Sequence, residues 1–318
     1  MTEHNTPTLI PRLLPKLTEV LSTYQQDPAV IVSLAIKLLR PLRFTDILTL
    51  ASEESLIRAL ESPAPSANIL AMTVIEKASK APSDTAILSI MKGVVAAFLR
   101  TWLSSPSVEV GEKATKALGD LLEVDCDRAS VASLNTHMNG LEISTQKQPG
   151  QGLLWRRILH DKDIYSLLYH LCVLQNTGTG EGQLDERQKS LAQARMLRVL
   201  PRLAALDFAA VSRSDFADIA TGYGLENGEL GLLYFASRQM INKEDMLMHI
   251  TLIDFFAEFL DVLSMTQISG STMEYLIKLM QTVTADDMAM YKSLESLAMS
   301  PNSSPELVEL LVKLNEHR

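Results

Sequence analysis

Between Ala29 and Leu314 nearly every long segment repeats its apolar residues at helical spacing, while the alternation that marks a half-buried strand is essentially absent. Asp27 stands as a candidate N-cap and Pro28 at the first helical position, and Val30, Leu34 and Leu38 follow at i, i+4 and i+8. Ser105-Pro106 opens a second such helix over 108–122, with Val110, Ala114, Ala117, Leu118 and Leu121 on one face, and Ser304-Pro305 opens a third over 306–314. Further helices are predicted over 9–24, 45–61, 67–80, 84–103, 162–174, 186–206, 214–221, 228–241, 243–264, 271–282 and 286–298. The fold class is all-α.

Asp27, Ser105 and Ser304 stand 78 and 199 residues apart, close to two and five times a period of about 40, the length of a HEAT or armadillo helical repeat. The helices are numerous and joined by short Pro/Ser/Asn connectors, and several are apolar on two sides, as helices stacked between neighbours must be. In 246–260, Leu252, Ile253, Phe255, Phe256, Phe259, Leu260 and the following Leu263 cover an arc of roughly 160° and predict a buried helix. The expected architecture is a HEAT/armadillo-like helical-repeat solenoid over 1–318, a single domain of about seven or eight repeats. Two polar, Gly-rich stretches, 135–152 and 175–183, are predicted to be mobile loops inserted between repeats. The chain stops at Asn315–Arg318 directly after an amphipathic helix with no polar capping helix, which reads as a truncation or a short member of a longer family.

Charge is unevenly placed. Residues 1–160 carry 16 basic and 16 acidic side chains, and 161–318 carry 13 basic and 22 acidic, so the whole net charge of −9 sits in the second half. With a pI near 5.2, the chain lacks the basic stripe of a nucleic-acid binder, and a basic protein is the better electrostatic match. Cys126 and Cys172 build no disulfide framework, and there is no CxxC pair, so a reducing compartment is expected: the cytoplasm, with the nucleus as a second address. The N-terminus lacks the basic start and apolar run of a signal peptide. The most apolar stretch, 86–99, falls short of the roughly 20 residues a bilayer needs and contains Lys92 and Gly93, so no membrane partner is expected.

No residue set points to catalysis. Gly178, Gly180 and Gly182 lack the Lys-Ser/Thr of a phosphate loop and follow a predicted helix, so they read as loop. His160, Asp161, Asp163 and His170 have the composition of a metal cluster without its spacing, and the two acids sit where an N-cap and a first turn want them. Cys126 lies between Asp125 and Asp127, whose charges oppose a thiolate, and Cys172 reads as core. No GxSxG, SxxK or HExxH is present. Neither an enzyme nor a cofactor or metal is expected.

Surface charge is more informative. Arg195, Arg198 and Arg202, at i, i+3 and i+7, read as a solvated face, with a binding stripe as the alternative. Asp254, Glu258 and Asp261 lie opposite the Phe255/Phe256/Phe259 arc, and three like charges this close call for an offsetting charge, either a neighbouring Lys or Arg or a basic partner. They are the candidate partner-binding residues. Nine of the 14 methionines fall between Met240 and Met299; most read as core filler, with any exposed ones supplying an adaptable contact surface.

Three strings carry a family resemblance: FLRTWLSSPSVEV over 98–110, KALGDLLEVD over 116–125 and LLWRRILHDKDIY over 153–165. In this order they resemble the 26S proteasome non-ATPase regulatory subunit 5 family, and most of all its fungal branch, whose founding member was first labelled a DNA mismatch-repair protein. The resemblance implies an all-α HEAT/armadillo-like solenoid that acts as a chaperone in assembling the base of the regulatory particle. It implies binding to the C-terminal domain of one proteasomal ATPase subunit, contact with a neighbouring one, and absence from the finished proteasome. A monomer without catalytic activity is expected. The same fold with a non-proteasomal partner, a generic adaptor, is the alternative reading.

Overall fold

The computed structural model describes residues 13, 28–127, 149–174, 184–225, 230–300 and 303–316. The helix predicted over 9–24, apart from residue 13, the polar stretch 135–148, and the stretch 175–183 with its three glycines lie outside the described residues. The described residues hold seventeen α-helices, one 3-10 turn and no strand. They divide into two compact units, residues 1–158 and 159–318.

The first unit contains α1 (Ala29–Leu39), α2 (Phe44–Leu48), α3 (Glu53–Leu60) and α4 (Pro65–Glu76), which runs into a 3-10 turn at Lys77–Lys80. Then come α5 (Pro82–Ile90), α6 (Lys92–Ser104), α7 (Val108–Asp125) and most of α8 (Leu153–Leu159). Helix α4 packs against α1, α3 and α7, and α6 packs against α3 and α7. Phe44, Leu60, Met72 and Trp102 are fully buried there, each removing enough apolar surface to contribute about 2 kcal/mol. Several polar groups inside this core find partners, although Asp125 Oδ1 is buried without one among the described residues. Asn68 donates to the carbonyls of Ala59, Leu60 and Ser62 at 2.7–3.0 Å, closing the C-terminal end of α3. Trp102 Nε1 donates to Thr115 Oγ1 at 2.8 Å. Asp125 Oδ2 accepts from the Leu154 and Trp155 amides at 2.7 and 3.1 Å, tying the end of α7 to the start of α8. Burial pushes its carboxyl above the usual range despite those bonds.

The second unit contains α9 (Lys162–Cys172), α10 (Glu186–Leu206), α11 (Phe208–Ser212), α12 (Ala217–Gly222) and α13 (Leu232–Arg238). It ends with α14 (Met246–Ser264), α15 (Gly270–Thr284), α16 (Met288–Met299) and α17 (Pro305–Glu316). The long helices α10 and α14 form its main contact, α14 also packs on α16 and α17, and α15 packs on the same two. A capping box at the start of α10 satisfies two amides reciprocally, Gln188 N donating to Asp185 Oδ1 at 2.7 Å and Asp185 N to Gln188 Oε1 at 3.2 Å. The rings of buried Tyr165 and Tyr169 meet tilted at 5.1 Å, and Tyr169 meets Phe235 at 4.1 Å. Cys172 is fully buried, as expected of a core thiol, and burial drives its pKa far upward.

Several predicted elements change shape. The helix expected over 45–61 is two, because Ser52 takes the extended conformation and caps a new start, its Oγ accepting from Ser55 N at 3.3 Å. The helix expected over 84–103 breaks at Met91, whose ψ of 65° is not helical. Helices α5 and α6 consequently meet at 94°, and no single described helix is long and apolar enough to cross a membrane. Ser107, and not Ser105, caps α7. Pro28 precedes α1 instead of occupying its first turn. Helices α8 and α11 were not among those predicted, being only 7 and 5 residues long. The third Ser-Pro signal holds: Ser304 Oγ accepts from Leu307 N at 3.2 Å with Pro305 at the first helical position.

Candidate protein-docking site

Helix α14 presents two opposed faces. Its N-terminus is fixed by Asp245, whose Oδ1 accepts from Leu247 N at 2.9 Å and Met248 N at 3.3 Å. Leu252, Phe255, Phe256, Phe259, Leu260 and Leu263 are buried, as their arc predicts, whereas Ile253 of the same arc is half-buried. Phe255 stacks on Phe259 at 5.6 Å and meets Phe256 edge-on at 5.0 Å, geometries favoured by the ring quadrupole.

On the opposite side Asp254, Glu258 and Asp261 are all exposed. Their i, i+4, i+7 spacing sets them in one row about 10 Å long at 1.5 Å per residue. Among the described residues none of the three carboxylates joins an ion pair. Of the two ways to offset these charges, a neighbouring Lys or Arg is not what the described residues supply. The same face carries Met246, Leu247 and Ile250, which are 76, 72 and 48% exposed.

An ion network holds the N-terminal end of this face. Asp287 is 4% exposed at its side chain, and its Oδ2 meets His249 Nε2 at 2.8 Å and Lys243 Nζ at 3.0 Å. Its Oδ1 accepts from Met290 N at 3.0 Å and so caps α16. Burial works to raise the Asp287 carboxyl, but the Met290 amide, Lys243 and His249 outweigh it and hold it below the ordinary carboxylate range. Nothing in the sequence announces this network, since His249 and Asp287 are 38 residues apart.

The other charged candidates resolve differently. Arg195 is buried at 7% exposure, correcting the solvated-face reading, while Arg198 is exposed and Arg202 half-buried. A helix face that reads as polar is here partly covered, which long Arg stems permit. Asp161 caps α9, its Oδ1 accepting from Asp163 N at 3.2 Å and Ile164 N at 3.5 Å, and His160 pairs instead with Asp215. Among the described residues no group of three His, Cys, Asp or Glu side chains is placed to hold a metal ion. Of the nine clustered methionines, Met240, Met248, Met280 and Met290 are buried, whereas Met246, Met265, Met288 and Met299 are exposed. Core filling accounts for fewer of them than the sequence suggests.

Residues 1–118 match the family described as DNA mismatch repair protein HSM3, N terminal domain. This is the fungal name of the proteasome base-assembly chaperone family, the one resembled by the strings over 98–110, 116–125 and 153–165, of which the match covers the first in full. No curated protein and no solved structure matches the chain. The matched stretch ends within α7, so the face of α14 lies beyond it.

Proposed function

We propose that this chain is a chaperone for assembly of the base of the 26S proteasome regulatory particle. In this reading its helices form a HEAT/armadillo-like solenoid whose concave face holds the C-terminal domain of one ATPase subunit and releases it before the proteasome is complete. The observation that carries the reading is the match of residues 1–118 to the N-terminal domain of that family. The all-helical fold is compatible with it, because stacked helices offer long surfaces suited to many modest contacts. Asp254, Glu258 and Asp261 are the proposed contacts, supported by exposure and charge, and an acidic surface of this kind steers a basic partner and makes association sensitive to salt. The work is steric and needs neither catalysis nor cofactor, and we propose that it is done by a monomer in the cytoplasm or nucleus.

The family's description as a DNA mismatch repair protein raises DNA as a partner. The acidic second half and the pI near 5.2 argue against duplex binding, which draws most of its affinity from phosphate neutralisation. A generic adaptor with a non-proteasomal partner is the second reading, favoured by the fact that the acidic face of α14 lies outside the matched stretch. Co-expression of the chain with each of the six proteasomal ATPase C-terminal domains, followed by gel filtration, separates these readings. The chaperone reading predicts co-elution with one domain. Co-elution with none, together with capture by intact 26S particles, would contradict it.

A further inference from the structure

The outward face of α14 changes character along its axis. At its N-terminal end stand the exposed Met246, Leu247 and Ile250, and Asp287 pins the start of α16, with Met288 65% exposed, against the same end through His249 and Lys243. Beyond Ile250 the face turns acidic at Asp254, Glu258 and Asp261. Met246 to Asp261 spans about 22 Å at 1.5 Å per residue. Exposed apolar side chains scattered singly need no explanation, but a contiguous set rimmed by charge marks an interaction surface.

We propose that this face docks a basic amphipathic helix of a protein partner, with apolar residues at one end and Lys or Arg about one turn apart toward the other. The assignment rests on the reading above that the acidic face is a partner-binding surface, and adds the apolar anchor and the direction of docking. Charge complementarity selects the occupant. The three carboxylates form no ion pair among the described residues, so basic side chains reach them without displacing an existing partner. A second copy of this chain is a poor occupant, because it would bring carboxylates either against carboxylates or against methionine and leucine. Methionine suits the anchor, since its flexible thioether adapts to a partner's side chains.

The test uses the whole chain and two synthetic 18-residue peptides of identical Leu/Ala/Lys composition. In one, leucines occupy one end of a helical face and lysines follow at i, i+4 and i+7; in the other the order is permuted. Fluorescence anisotropy at two salt concentrations should show the ordered peptide bound about tenfold more tightly than the permuted one, the scale of a small apolar anchor. The Met246→Ser/Ile250→Ser variant should lose that preference and keep the salt dependence. The Asp254→Asn/Glu258→Gln/Asp261→Asn variant should lose the salt dependence. All five positions are exposed or outward-facing, and unchanged circular dichroism verifies that both variants fold. Equal binding of the two peptides overturns the inference, as does a self-association of the free chain that the Met246→Ser/Ile250→Ser variant disperses. If co-elution with an ATPase domain persists while peptide preference is absent, this inference alone fails. If the preference holds while no domain co-elutes, the chaperone reading alone fails.

Discussion

Asp287 ties together three pieces of backbone that the sequence keeps apart: the turn at Lys243, the first turn of α14 at His249, and the start of α16. Replacing it by Asn keeps the shape but removes the charge that offsets Lys243 in a nearly dry site, so Asp287→Asn should cost about 1–3 kcal/mol of stability at neutral pH. The sign of its pH dependence follows from a folded-state pKa lying below the unfolded one. The stabilisation is fully present above the unfolded value near 4 and is lost as pH falls through the lower folded value, so wild type and variant should converge in acid urea titrations. Gly231 gives a purely steric case. Its φ is +113°, and a Cβ there would lie 2.5 Å from the Ser212 backbone. Gly231→Ala should therefore destabilise by more than about 1 kcal/mol, whereas Gly222→Ala, with open space and no positive φ, should not. The exposure of Asp254, Glu258 and Asp261 was legible because the arc of phenylalanines on the other side fixes which way α14 faces. The burial of Arg195 was not, because local spacing carries no record of which distant element covers a helix face.

At the scale of elements, periodicity located helices better than it located their breaks. Helices α1 and α10 match the predicted 29–39 and 186–206, where the apolar period agrees with the packing, and at α10 a capping box agrees as well. The breaks at Thr49–Ser52 and Met91 escaped because no proline marks them and the apolar period continues across both. In the first, Ser52 takes the extended conformation and caps α3, which packs on α6; in the second, Met91 leaves the helical conformation at ψ 65°. Removing that cap with Ser52→Ala should lower thermal stability by about 0.5–2 kcal/mol. Truncating Phe256, fully buried between α14 and its neighbours, should cost about 3–5 kcal/mol in urea unfolding, and a loss under 1 kcal/mol would deny that this face forms the core of the second unit.

At the scale of the whole molecule, the all-helical class was legible from the near-absence of period-two patterning, and the described residues contain no strand. The division into two compact units was not legible, since a unit is defined by contacts between distant segments that a repeat period cannot record. The segregation of net charge into residues 161–318 was visible as composition, and it underlies the functional account. A mobility-shift assay with duplex DNA at physiological salt should show no complex. The most direct test of the account is titration of the purified chain against all six proteasomal ATPase C-terminal domains at low and physiological salt. One domain should bind, with an affinity that falls as salt rises and a salt dependence that shrinks in the Asp254→Asn/Glu258→Gln/Asp261→Asn variant. Binding to no domain at either salt concentration would contradict the account.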